Sequence, residues 1–241
     1  MVEPLLSLRG VKTNIGRYHI LHGVAFDVAE GGLTMLLGRN GAGKTTTLRT
    51  IMGLWRAAEG EIRFAGKDIA KLDTPDIARL GIAYVPESMA IFADLTVQEN
   101  LILAARSGPP DAQRLDWIFA RFEALKRFWQ LPAGHLSGGQ KQMLAVARAI
   151  VEPRRLLLID EPTKGLAPAI IANMIDAFRE LKDGQSTLLV VEQNFTFARH
   201  LGDAVAVVDD GKVAHQGSMA AFAADSALQQ HLLGLGMDTH Q

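Results

Sequence analysis

Gly38-Arg39-Asn40-Gly41-Ala42-Gly43-Lys44-Thr45 is the stretch that decides the fold. It fits G-x-x-x-x-G-K-[ST] and lies between an apolar run, Leu33–Leu37, and a helical pattern over 45–52 that Gly53 closes. Glycines at these spacings let successive backbone N–H groups curl round a phosphate, and the helix start adds the positive end of its dipole. In such a loop Lys44 reaches the β- and γ-phosphates, and the Thr45 hydroxyl ligates Mg²⁺. A Gly-rich turn with an incidental lysine needs neither a strand before it nor a helix after it. The context therefore predicts a nucleotide site on an α/β fold.

Working outward, the runs IAYV (82–85), LLLI (156–159), TLLVV (187–191) and AVAVV (204–208) are continuous and apolar. They read as central strands of a parallel sheet with helices on both faces. Between 170 and 181, Ile171, Met174, Ile175, Phe178 and Leu181 follow helical spacing, with Pro168 ahead and Gly184 behind. Asp210-Gly211 reads as a hairpin turn. The opening third alternates strand-like pieces (5–8, 20–28, 33–37, 61–64) with glycine turns. Residues 88–152 carry only helical patterns. There Leu115, Ile118, Phe119, Phe122, Leu125 and Trp129 form one apolar face at helical spacing that reads as the core of a helical subdomain rather than as a base-stacking platform.

Composition narrows the function. The chain has 241 residues, 48 % hydrophobic and 21 % charged, enough for one domain with a large core and too apolar for disorder. Lys plus Arg number 25 against 26 Asp plus Glu, a formal charge of −1 that argues against a duplex-binding protein. No apolar run approaches the roughly 18 residues of a membrane span. Residues 1–8 lack a basic start and contain Glu3 and Pro4, so no secretory leader is expected. Zero cysteines exclude disulfides, thiol catalysis and Cys-ligated zinc.

Two further motifs carry chemistry. In Leu156-Leu157-Leu158-Ile159-Asp160-Glu161 an apolar strand delivers Asp160 near the phosphate loop, where it serves Mg²⁺, and Glu161 one residue on is placed to act as general base. In Leu136-Ser137-Gly138-Gly139-Gln140, Ser137 is an N-cap candidate, and the two glycines expose N–H groups at a helix start over 141–151, a second anion site.

These motifs occur in the order of an ABC-transporter ATP-binding cassette, and the resemblance covers essentially the whole chain. GRNGAGKTTTLRTIMGL (38–54), RLGIAYVPE (79–87), LTVQENL (95–101), LSGGQKQMLAVARA (136–149), EPTKGLAP (161–168) and VEQN (191–194) look most like the ATP-binding subunits of branched-chain amino acid importers. The fold implied is an α/β P-loop NTPase, a RecA-like parallel sheet with an N-terminal antiparallel β subdomain and an inserted helical subdomain. Residues 1–241 are then one cassette: 1–87 and 153–241 form the nucleotide-binding core, and 88–152 the helical subdomain with the signature motif.

The resemblance implies an ATPase that drives uptake of branched-chain amino acids or a related solute such as urea, short amides or aromatic acids. Its cofactors are ATP and Mg²⁺. The nucleotide is held by Gly38, Arg39, Asn40, Gly41, Ala42, Gly43, Lys44, Thr45, Thr46, Glu87 and Asp160, and Mg²⁺ by Thr45, Asp160 and Glu87. Catalysis falls to Glu161, Gln193 and Lys44. Two cassettes, identical or paralogous, pair head to tail, so that Ser137, Gly138, Gly139 and Gln140 of one face the nucleotide of the other. Permease subunits, and indirectly a periplasmic solute-binding protein, complete a complex at the cytoplasmic face of the inner membrane. No nucleic acid takes part.

Several positions depart from the broad cassette pattern. Ile15 stands where an aromatic residue stacks on adenine; Tyr18 is either its substitute or a surface tyrosine. Glu87 replaces a glutamine, Ala167 an aspartate, and Gln193 the switch histidine, replacements that the branched-chain subfamily shares. Gln193 acts beside the γ-phosphate or else caps the helix from Phe195. Ile91, Phe92 and Leu95 lie where a cassette receives a short helix of its membrane partner, or else simply pack the helical subdomain. The competing function is a soluble cassette ATPase of repair or translation. The chain lacks the long coiled-coil insertion or basic charge of the first and the second cassette of the other, and no N-K-x-D triplet reads guanine.

Overall fold

The computed structural model describes residues 3–106 and 108–234. Along them run β1 (Leu6–Ile15), β2 (Tyr18–Val28), β3 (Leu33–Leu37), α1 (Lys44–Ile51), β4 (Ala57–Phe64), β5 (Lys67–Asp68), α2 (Thr74–Arg79) and β6 (Ile82–Val85). Then come α3 (Val97–Ala104), α4 (Ala112–Arg121), α5 (Glu123–Arg127), α6 (Gly138–Ile150), β7 (Leu156–Asp160), α7 (Pro168–Asp183), β8 (Thr187–Val191), α8 (Phe195–Leu201), β9 (Ala204–Asp209), β10 (Lys212–Ser218), α9 (Met219–Ala224) and α10 (Ser226–Leu233).

The main sheet has the order β6-β7-β8-β3-β9-β10. Five strands run parallel, and β10 is an antiparallel edge. Asp210 (φ 41°) and Gly211 (φ 69°) make the β9–β10 turn with both central residues at positive φ, as the Asp-Gly pair foretells. A second sheet, β2-β1-β4-β5, is antiparallel throughout. In the main sheet β8, β7 and β6 lie on one side of β3, and β9 pairs on its other side. That reversal opens a crevice beyond the C-terminal end of β3, where α/β sheets take their ligands.

The apolar strands are buried on both faces because alternate side chains feed two separate cores. Met35 of β3, Leu157 and Ile159 of β7, and Leu188 and Val190 of β8 pack with α3, α6, α7 and α8. Leu36, Leu156, Leu158, Leu189 and Val191 pack on the other face with α1 and the antiparallel sheet. Each such fully buried side chain is worth about 1.5–3 kcal/mol over an exposed one, and this double burial accounts for strand sequences that do not alternate.

Three elements differ from the sequence expectation in extent. β1 runs well past residue 8, because it pairs with β2 on one edge and β4 on the other. α6 starts at Gly138, since Ser137 and Gln140 form a reciprocal capping box. The aromatic stripe spans two helices, for the backbone breaks at Phe122 (φ −124°, ψ 63°) between α4 and α5. Its Ile118, Phe122 and Leu125 are fully buried, with Phe119 edge-on to Trp129, so the stripe is core.

Candidate active site

The loop after β3 is shaped by glycine. Gly38, Gly41 and Gly43 all hold positive φ, and a Cβ on Gly38 would stand 2.2 Å from the Val208 carbonyl oxygen. The first N–H to close α1 is that of Thr47, which donates to the Gly43 carbonyl at 2.8 Å. The N–H groups of Lys44, Thr45 and Thr46 are therefore left for an external acceptor, as at any helix start. They face a cavity of about 350 Å³ lined by Ile20, Asn40, Gly41, Gly43, Lys44, Thr45, Thr46, Glu87, Glu161 and Lys164. The Lys44 ammonium donates to the carbonyls of Gly38 (2.9 Å) and Arg39 (3.0 Å). Burial pulls its pKa down against the pull of Glu161, Asp160, Glu192 and Glu87.

β7 brings Asp160 to the same place. Its Oδ1 accepts from the Thr45 hydroxyl at 3.0 Å, and its Oδ2 from the Tyr84 hydroxyl at 3.3 Å. Asp160 is fully buried. Thr45, Asp160 and, across the cavity, Glu87 offer only oxygen donors, the set that suits Mg²⁺. No three His, Asp or Glu side chains among the described residues make a ready metal cage.

Burial pushes the Asp160 carboxyl up to about 6, with Thr45 and Tyr84 opposing and Glu161 and Glu87 adding to the rise. The folded chain thus holds this proton more tightly than the unfolded chain, whose carboxyl titrates near 3.8. Stability from the protonated form is full below about 4 and is lost as pH rises through about 6. At neutral pH the ionised group is a burden. We expect Asp160→Asn to stabilise the nucleotide-free chain at pH 7 by about 1–3 kcal/mol, at about 1.4 kcal/mol per pKa unit, while it abolishes metal-dependent turnover. Thermal unfolding between pH 4 and 7 checks this; a lowered midpoint, or an unchanged pH slope, would contradict it.

Glu161 leaves β7 with φ 49°, a left-handed conformation that is rare for a non-glycine residue and costs about 1–3 kcal/mol. The turn aims its side chain into the cavity, where only 9 % of it is exposed. Its Oε1 accepts from Gln193 Nε2 at 2.5 Å. Gln193 does not cap α8: Asn194 does, its Oδ1 accepting from the Phe197 N–H at 3.0 Å. The structure therefore pairs Gln193 with Glu161 and drops the capping alternative.

Two residues that the sequence reading passed over complete the site. Glu192, 2 % exposed, accepts from the N–H and hydroxyl of Thr163 (3.0 and 2.7 Å) and from the N–H groups of Gln193 (3.0 Å) and Asn194 (3.1 Å). It ties the loop after Glu161 to the loop after β8. A carboxylate ending a wholly apolar strand was its signal, the same one that marked Asp160. Lys164 donates to Glu87 Oε1 at 2.5 Å and stands 3.6 Å from Glu161 Oε2.

Other expected residues lie elsewhere. Ser137 and Gly138 are exposed at the start of α6, and none of Ser137, Gly138, Gly139 or Gln140 lines the cavity. Gly139 is packed so closely that a Cβ would stand 2.2 Å from Ile170 Cδ1. Tyr18 is 75 % exposed at the head of β2, and the cavity wall on that side is Ile20. Arg39 and Ala42 shape the loop without lining this cavity.

A glycine loop at the end of a central parallel strand, with two carboxylates delivered by another strand, defines a P-loop nucleotide hydrolase. Within that class, the ABC transporter pattern matches residues 21–164, and this chain belongs to that family. It is 37 % identical to the high-affinity branched-chain amino acid transport ATP-binding protein BraG of Pseudomonas aeruginosa, over 95 % of this chain and 100 % of that one. It is 38 % identical to the probable branched-chain amino acid transport ATP-binding protein LivF of Archaeoglobus fulgidus, over 88 % of this chain and 92 % of that one. A solved ATP-binding subunit of an ABC transporter superposes with a TM-score of 0.81 at 28 % identity, covering 95 % of this chain and 96 % of that one. The chain is an ATP-binding and ATP-hydrolysing cassette.

Proposed function

We propose that this chain energises import of branched-chain amino acids or a related small solute, as one of two cassettes under permease subunits at the cytoplasmic face of the membrane. The observation that carries the solute class is the end-to-end match to BraG, which leaves no part of that relative uncovered. No helix among the described residues is long and apolar enough to cross a membrane, and the proposal assigns the crossing to the permease.

In this reading the N–H groups of the phosphate loop and the Lys44 ammonium hold the β- and γ-phosphates. Thr45 and Asp160, with Glu87, would hold Mg²⁺, which when bound offsets the charge that builds on the phosphates. Glu161 takes the proton of the attacking water, and Gln193 fixes the carboxylate that does so. The start of α6, Ser137 to Gln140, with Ser137 and Gly138 exposed, serves the nucleotide of the second cassette, since none of the four lines its own chain's cavity. A similar solved bacterial ABC transporter cassette, 25 % identical, is described as dimeric, which supports the pairing. A periplasmic binding protein would deliver the solute. Residues 88–152 act as the helical subdomain, and Tyr18 remains the chain's candidate to stack on adenine.

A groove of about 700 Å³ supports the permease contact. It lies between α1, β6 and α6, with Met52, Leu54, Trp55, Met89 and Ala90 among its walls. Leu54 is half-exposed. Trp55 Nε1, Arg148 Nε and Arg154 Nε, all at this groove, are buried with no hydrogen-bond partner among the described residues, donors suited to acceptors on a docked helix. Of the three residues expected to form the contact, Ile91 and Leu95 are half-buried and only Phe92 is exposed, stacked 4.8 Å from the Arg148 guanidinium. The groove lies just before them, at Met89 and Ala90.

The test is to purify the chain with the membrane proteins that co-purify with it, reconstitute them in liposomes, and add leucine, urea, a short amide or an aromatic acid in turn with a periplasmic extract. Several-fold stimulation of ATP hydrolysis by leucine is expected. Stimulation by another solute alone would reassign the cargo, and the absence of any membrane partner would overturn the proposal.

A further inference from the structure

We propose that Lys164 is a built-in counter-ion that competes with the divalent cation for Glu87 and so sets how tightly that cation binds. The inference rests on the reading of this cavity as the Mg²⁺–nucleotide site.

Glu87 and Glu161 line one cavity with Asp160 beside it, and the Lys44 ammonium donates to the carbonyls of Gly38 and Arg39. The cation paired with Glu87 and Glu161 is Lys164. Its Nζ is 2.5 Å from Glu87 Oε1 and 3.6 Å from Glu161 Oε2, bridging one residue of the oxygen set that suits the metal and the residue placed as base. An ammonium placed between two carboxylates offsets their mutual repulsion. The same bridge has a cost. A divalent cation that takes Glu87 must first displace the ammonium, and the lost attraction is subtracted from the affinity of the metal.

The expected size follows from exposure. Lys164 is 62 % and Glu87 41 % exposed, so water screens the pair, and an exposed pair is worth a factor of about two to five in an equilibrium constant. The sign differs between ligands. An ammonium in the cavity opposes a metal ion but attracts a triphosphate that arrives without one. A residue with a purely structural role would weaken both together.

The test uses the full chain and two titrations. Mn²⁺ binding in the presence of ADP is followed by electron paramagnetic resonance, and binding of a fluorescent ATP analogue is followed in EDTA. Lys164→Gln is expected to tighten Mn²⁺ about two- to five-fold and to weaken metal-free nucleotide by a similar factor, while Lys164→Arg, which keeps the charge, stays within about two-fold on both. Lys164→Met repeats the measurement with the aliphatic stem kept, should the glutamine variant fold poorly. Unchanged or weaker Mn²⁺ binding in the neutral variants, or a shift of both ligands in the same direction, overturns the proposal. Lys44→Ala, run beside them, separates the two failures. If it binds nucleotide like the wild type, the reading of the cavity falls and takes this proposal with it. If it loses nucleotide while the Lys164 variants behave like wild type, the counter-ion role alone is wrong.

Discussion

Glu161→Gln is expected to bind ATP as the wild type does and to hydrolyse it about 10²- to 10⁴-fold more slowly, the usual cost of losing a general base. The geometry makes the substitution a clean one. The side chain is almost wholly enclosed, its left-handed backbone is shared equally well by glutamine, and Gln193 turns its amide to meet the new one. What vanishes is the enclosed carboxylate placed to take a proton from water. The other carboxylates are otherwise engaged: Asp160 is held by Thr45 and Tyr84, Glu87 by Lys164, and Glu192 by four donors across two loops. With the chemical step blocked, the two-cassette ATP-bound state should accumulate, visible as a dimer by size exclusion in ATP and Mg²⁺. Single-turnover hydrolysis within ten-fold of wild type would remove Glu161 from this role.

How much of this site the sequence discloses depends on the range of the interactions. The phosphate loop, the carboxylate pair and the capping box are legible because each is local: a few residues, with glycines or a cap at fixed offsets, state both the backbone path and the chemistry. The double-sided strands are legible because continuous apolar runs have one physical use in such a sheet. Lys164 and Glu192 are not legible in the same way. Lys164 meets Glu87, seventy-seven positions earlier in the chain, and Glu192 meets Thr163, twenty-nine positions earlier. Those pairings exist only after β6, β7 and β8 have lined up. Gln193 shows the intermediate case. Its place at a sheet edge follows from the strand before it, but the choice between capping α8 and gripping Glu161 is made in space, because Asn194 is one residue nearer the helix and takes the cap. The break at Phe122 was equally hidden, since a helical apolar period runs through it unchanged.

Lys44→Ala should weaken ATP binding by roughly 10²- to 10⁴-fold with little change in the stability of the empty chain. The two effects part because the ammonium has two sets of partners. It is 5 % exposed and satisfied by two carbonyls, and burial pulls its pKa down, so its charge is held at a cost. Alanine loses those two hydrogen bonds and is relieved of that cost, and the terms offset to within about 1–2 kcal/mol. In the loaded site the same ammonium would swing to the β- and γ-phosphates, where no water replaces it. Removing one partner of a buried charge pair costs about 3–5 kcal/mol, and 1.4 kcal/mol is a factor of ten. Titration with a fluorescent ATP analogue, beside thermal unfolding of the empty chain, reads both quantities. Wild-type affinity would show that the phosphates are held elsewhere. A large loss of stability would show instead that Lys44 is a strut of the loop, its grip on Gly38 and Arg39 serving the fold before it serves the nucleotide.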